Sequence, residues 1–282
     1  MTITSTAASM LRLETAISSA RAQLTLDLNQ TSSGNRLVSA SVDAAGLSIS
    51  DKLEAAVRSL GQAERNTHSG ASLIQTADGG LSNISSTLTR MRELALQSAN
   101  GTLGPSERSF LQSELEGLRD SISDIAKNTT FSATALLDGG MPESLTFQVG
   151  EGSDPEDRIE VTLPDARPGS LGTGVDPAGL DGVDISNQSS AQQALETLDA
   201  AIEDVSTQRS DLGATLTNLE SSVSQLSTRR SALIESTSRI RDVDVARVSS
   251  DKAKNRILLQ SSIAALAHRN DAASHQLALF DS

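Results

Sequence analysis

The sequence predicts a mainly α fold: a long antiparallel helical bundle or coiled coil with a small central β-hairpin region. Three observations carry that prediction. Apolar residues recur every three and four positions through both flanks of the 282-residue chain. Five of the six prolines fall between residues 129 and 189. The only aromatic residues are four Phe. Rings supply much of the bulk of a round core, so a chain this poor in them needs many small contacts along an extended seam.

Taken in order, Met10, Leu13, Ile17, Ala20 and Leu24 form a thin amphipathic seam near the start. Ser33-Gly34 ends that helix, because glycine tolerates the bend. Asp43 is placed to cap the next helix. Its seam runs through Leu53, Ala56, Leu60, Ala63, Thr67, Gly70, Ile74, Ala77, Leu81, Ile84, Leu88, Met91 and Ala95. Small residues in its first half permit close approach but supply little apolar area. Asn100-Gly101 and Gly104-Pro105 mark a turn. Ser106 is the expected cap of a third helix, whose apolar face is Leu111, Leu115, Leu118, Ile122 and Ile125.

In the middle, residues 145–149 and 158–163 alternate with period two around a polar turn, which predicts a hairpin. Residues 164–182 are rich in Gly, Pro and Asp and read as flexible loop; Gly169, Gly172 and Gly174 lack the strand-to-helix setting of a dinucleotide fingerprint. The clearest seam follows: Leu195, Leu198, Ile202, Val205, Leu212, Leu216, Leu219, Val223, Leu226 and Leu233. Arg209 and Arg230 fall on the same stripe, so each is expected to reach its edge or meet a carboxylate. The last seam is Leu259, Ile263, Leu266, Asn270, Ala273 and Leu277.

The two terminal seams are energetically thin. Ordering one residue's backbone costs about 1–2 kcal/mol. Burying a Leu or Ile recovers about 1.5–3 kcal/mol. With roughly two large apolar residues per heptad, a terminal helix alone loses, and the two ends paired bury only one face each. The ends are therefore expected to be marginal in a single copy and to need other copies of the chain. That marks Leu13, Ile17, Leu24, Leu259, Ile263, Leu266 and Leu277 as candidate subunit-interface residues.

Other classes are disfavoured. The net charge of -13 argues against nucleic acid as a partner. The absence of Cys removes disulfides and thiolate metal sites. No run of about 18 apolar residues predicts a membrane span. The first ten residues lack the basic start and apolar block of a secretory signal. His268 and His275 are too far apart for the two-ligand helical spacing, and the acidic turn at Asp154, Glu156 and Asp157 lacks the closing Glu of a calcium loop. No catalytic, cofactor-binding or metal-ligating set is expected.

Several stretches resemble bacterial flagellin. Residues 31–36 (TSSGNR) resemble that family's LSSGxR, and residues 43–50 (DAAGLSIS) its DAAGLAIS. Residues 90–101 (RMRELALQSANG) are near-verbatim, and residues 130–139, 147–150, 208–214 and 238–244 match in order and approximate spacing. The resemblance covers nearly the whole chain. It implies a short form without large outer domains. Terminal helices at about 1–40 and 240–282 would form a filament core, residues 41–128 and 190–239 a surrounding helical shell, and 129–189 a hairpin and loop region.

By the same resemblance, the chain is a secreted structural subunit and not an enzyme. It leaves the cell by flagellar type III export and polymerises into the extracellular filament used for swimming. Its implied partners are further copies of itself, an export chaperone at the C-terminal helix, and the filament cap and hook-associated proteins. Arg90, Leu94 and Glu114 match positions that form subunit contacts and that, in some members, touch a Toll-like receptor; Thr89 departs from the family's usual Gln. Two alternatives are a hook–filament junction protein and, from another class, a cytoplasmic coiled-coil signalling rod. The wording at 31–50 favours flagellin over the first, and the central hairpin argues against the second.

Overall fold

The structure, a computed structural model, describes residues 2–140 and 144–280, the side chains of residues 2–9, 273 and 275–280 excepted. Five long helices carry the chain: α1 (Thr2–Ser33), α2 (Ala44–Ser98), α3 (Pro105–Asn128), α4 (Gln188–Arg241) and α5 (Val245–Phe280). Among the described residues, none is long and apolar enough to cross a membrane.

Helix ends follow local chemistry. α1 stops where Gly34 takes φ +71°, the left-handed conformation common just past a helix end. α2 begins where Asp43 Oδ1 accepts the Gly46 N–H at 2.8 Å, as the sequence suggests. α3 differs from expectation. Its cap is Gly104, not Ser106, because Pro105 has the preset φ that suits the first helical position. Asn187 caps α4 through the Ser190 N–H, and Asp244 caps α5 through the N–H groups of Ala246 and Arg247. Arg108, itself buried, closes the other end of α2 by donating to the carbonyls of Ser98 and Asn100 at 2.9 and 2.8 Å.

The chain divides into two compact units: Met1–Val57 with Ser231–Ser282, and Arg58–Arg230. The second unit holds the hydrophobic core. Leu60, Ile74, Leu81, Ile84, Leu88 and Met91 from α2, Leu115 and Ile122 from α3, and Leu198, Val205, Leu212, Leu219 and Leu226 from α4 are buried. The period of three and four has thus turned one stripe of each helix inward. The two stripe arginines meet carboxylates: Arg209 Nε lies 2.7 Å from Asp78 and Arg230 Nη1 3.0 Å from Glu64.

Two small antiparallel sheets lie between α3 and α4. β3 (Ser144–Gln148) pairs with β4 (Arg158–Thr162), Ser144 opposite Thr162 and Gln148 opposite Arg158. Val161 is buried between exposed neighbours, the expected alternation. Phe147 packs over Gly70, where a β-carbon would come within 3.1–3.3 Å of its ring. The small residue on α2 thus lets the hairpin close down. β1 (Thr130–Phe131) pairs with β2 (Thr134–Ala135) through a two-residue turn in which Ser132 and Ala133 have φ +50° and +65°. No turn dipeptide announced it, because this turn normally uses Asn-Gly or Asp-Gly.

The stretch read as flexible loop is packed instead. Pro168, Leu171, Leu180, Val183 and Ile185 are buried within two short 3-10 turns (Pro168–Ser170 and Gly179–Gly182) and the segment after them. Gly172 has φ +75°, and its N–H donates to Asp204 on α4 at 2.9 Å. A β-carbon there would lie 2.7 Å from the Thr197 carbonyl. Glycine at this position serves close backbone approach rather than mobility.

Candidate subunit interfaces

The unit built from the chain ends has little interior of its own. Among its described hydrophobic residues only Ala20, Leu37 and Val248 are buried. α1 and α5 run antiparallel, with Cα atoms within 8 Å of each other at many positions. That approach follows from the many Ala and Ser in both helices. A polar contact lies in the seam: buried Asp27 accepts from Asn255 Nδ2 at 2.8 Å and from Gln23 Nε2 at 3.2 Å.

Leu13, Ile17, Leu24, Leu259 and Leu266 are half-buried. Ile263 is 44% exposed, and Leu277 has its side chain outside the described residues. The same unit exposes Leu11, Leu28, Leu258 and Ile257, the last by 65%. Sequence reasoning missed these four because they lie beside the stripes it followed.

The face formed by α2 and α3 carries Arg90, whose guanidinium lies 3.0 Å from Glu93 and 2.8 Å from Glu114. All three side chains are about half exposed. The Glu114 and Glu93 hydrogen bonds raise the Arg90 pKa, so the cation is permanent. Leu94 is not on this surface. It is 1% exposed and belongs to the core, in the same buried cluster as Met91 and Ala95. Glu93 takes the outward position instead. Phe110, one turn before Glu114, is 74% exposed. The signal was available: Phe110 falls one residue off the α3 apolar stripe that contains Leu111 and Leu115.

A further pair, Arg92 with Asp199, joins α2 to α4 at 2.5 Å. The Arg92 hydrogen bond holds the Asp199 carboxyl below its ordinary value. Burial pushes Asp165 up, but hydrogen bonds from Arg167 and Ser170 outweigh it and leave that carboxyl low as well. A depressed carboxyl adds stability that is complete above its unfolded pKa of about 3.9 and is lost as pH falls through the lower folded value. The thermal midpoint of the Arg58–Arg230 unit should therefore hold steady from pH 7 to 5 and drop below about pH 4. Asp199→Asn should flatten part of that drop; an unchanged acid limb in calorimetry would refute the assignment.

Charge is divided unevenly. The terminal unit contains eleven basic and eleven acidic residues; Arg58–Arg230 contains twelve basic and twenty-five acidic. The whole net charge of -13 therefore belongs to the second unit.

Comparison with known proteins places these surfaces in a family. Residues 4–141 match the bacterial flagellin N-terminal helical region, and residues 195–280 the bacterial flagellin C-terminal helical region. The chain is 38% identical to a flagellin of Halalkalibacterium halodurans over 243 residues, 86% of each chain. It is 37% identical to the flagellar filament core protein flaB2 of Brachyspira hyodysenteriae, over 88% of each. In fold, it resembles a structure described as a flagellar hook-associated protein from Vibrio parahaemolyticus: TM-score 0.62, 18% identity, 71% of this chain and 100% of that one. Low identity limits that likeness to architecture. A sparsely filled unit made of the chain ends and a separate well-packed helical unit, together with matches along both ends of the sequence, establish that the chain belongs to the bacterial flagellin family, whose members are structural filament subunits rather than enzymes.

Proposed function

We propose that residues 1–40 and 240–282, which contain α1 and α5, form the core of the filament, with 41–128 and 190–239 as the surrounding helical shell and 129–189 as its hairpin and loop region. One observation carries the reading: the terminal unit buries three hydrophobic residues among those described and exposes large ones on both α1 and α5. Neighbouring copies supply the missing contacts, so Leu13, Ile17, Leu24, Leu259, Ile263, Leu266 and Leu277 become buried on assembly. Arg90 and Glu114 form a second contact surface between copies, with Leu94 supporting it from beneath. The same surface faces a Toll-like receptor where one is met.

The thin terminal seams also suit passage through a narrow type III export channel, which requires an extended chain. A chaperone covering α5 before export would shield Ile257, Leu258 and Ile263, an amphipathic helix laid in a groove. The cap and hook-associated proteins meet the same helices at the filament ends.

Ile263→Asp tests the central point. A charge placed in an interface that becomes dry costs far more than one left in water. Purified Ile263→Asp protein should keep the melting transition of the Arg58–Arg230 unit yet form no filaments by electron microscopy at concentrations where the natural chain does. Normal filaments from this variant would exclude α5 from the core.

A further inference from the structure

Two helix breaks, some two hundred residues apart in sequence, meet at one place in the terminal unit. The segment after α1 and the segment after α4 form an antiparallel bridge, Asn35 opposite Asp242. The Arg36 N–H donates to the Arg241 carbonyl at 2.6 Å, and the Val243 N–H to the Gly34 carbonyl at 3.0 Å.

The two arginine side chains then cross the junction in opposite directions. Arg36 Nη2 donates to the Ile240 carbonyl at 2.7 Å, one of the last-turn acceptors that α4 leaves unpaired. Arg241 Nε donates to Asn35 Oδ1 at 3.1 Å, and its Nη1 to Glu54 Oε2 at 2.8 Å. Buried Gln30 completes the node by donating to the Arg36 carbonyl at 2.8 Å. Each break thus supplies groups that the other needs.

We propose that Arg36 and Arg241 are positioning residues for filament assembly, clasping the ends of α1 and α4 so that the N- and C-terminal helices order together. This rests on the reading of α1 and α5 as the subunit-contacting helices. A two-bond bridge between exposed segments would not persist unaided. Charge-assisted bonds from two guanidinium groups, which are planar and carry several donors, give it a fixed geometry. Arg241 and Glu54 are 38% and 34% exposed, so solvent screens their attraction, and the pair acts chiefly on register. Neither terminal helix has enough interior to order alone, so a shared junction converts two weak events into one.

Full-length Arg36→Ala, Arg241→Ala, the double variant and Arg241→Lys should be compared for critical concentration, seeded on filament fragments of the natural protein. Each alanine variant should raise it about ten-fold. The double variant should stay within about two-fold of the worse single one, because the first change already opens the clasp. Arg241→Lys, which cannot reach Asn35 and Glu54 together, should recover little. In filaments, Arg241→Ala should speed amide hydrogen exchange across residues 24–37 as well as in the first turns of α5, while the Arg58–Arg230 melting transition stays fixed. Additive effects in the double variant, exchange confined to the mutated side, or unchanged critical concentrations would overturn the clasp. Normal assembly of Ile263→Asp would instead overturn the reading of α5 beneath it.

Discussion

Leu88→Ala should lower the stability of the Arg58–Arg230 unit by about 2–5 kcal/mol, the cost of a core Leu truncation that leaves a cavity. Leu88 is fully buried in the α2 stripe, among side chains of a single continuous core. For a unit of this size the thermal midpoint should fall by on the order of 10 °C. The same truncation at Leu259 should leave that transition within about 0.5 kcal/mol, since Leu259 lies in the other unit and is not among the hydrophobic residues that form or pack against this core. Its effect should appear in assembly, as a raised critical concentration. Calorimetry of both variants decides the matter: comparable losses from the two would mean that the chain ends carry the stability of the isolated copy.

Gly172→Ala should be among the costly changes in the segment between β4 and α4, at about 3 kcal/mol or more. Two independent penalties meet there. The left-handed φ of +75° disfavours any β-carbon, by roughly 1–2 kcal/mol. The added carbon would also lie 2.7 Å from the Thr197 carbonyl oxygen, a backbone atom of α4 that cannot swing aside. The segment should release Leu171 and Leu180 from the core and become open to proteases between residues 164 and 187. By contrast, Gly174→Ala meets nothing within 4 Å and should be tolerated. Equal protease resistance in the two variants would refute the packing argument.

The helical stripes were legible because burial has a period. Leu198, Val205, Leu212, Leu219 and Leu226 step by seven and all turn inward, and the alternation in residues 158–162 marks the hairpin strand. Composition proved a poorer guide. A Gly- and Pro-rich stretch looks the same whether it is loose or seated on a helix, and only the buried Leu171 and Leu180 distinguish the cases. Family resemblance pointed to Arg90, Leu94 and Glu114 together, but it could not say that only Arg90 and Glu114 face outward while Leu94 is buried. The Arg36–Arg241 junction was beyond reach, because it depends on two breaks meeting in space and neither break names its partner.

The uneven distribution of charge makes the assembled fibre a polyelectrolyte. On the proposed reading, growth sets one strongly anionic Arg58–Arg230 unit beside another, while the terminal unit it must bury is electrically balanced. At about 0.01 M ionic strength such repulsion reaches roughly 30 Å; at about 0.15 M, only about 8 Å. Counterions therefore act as a component of the fibre, and lowering the salt alone should loosen contacts between the anionic units more than contacts of the balanced terminal unit.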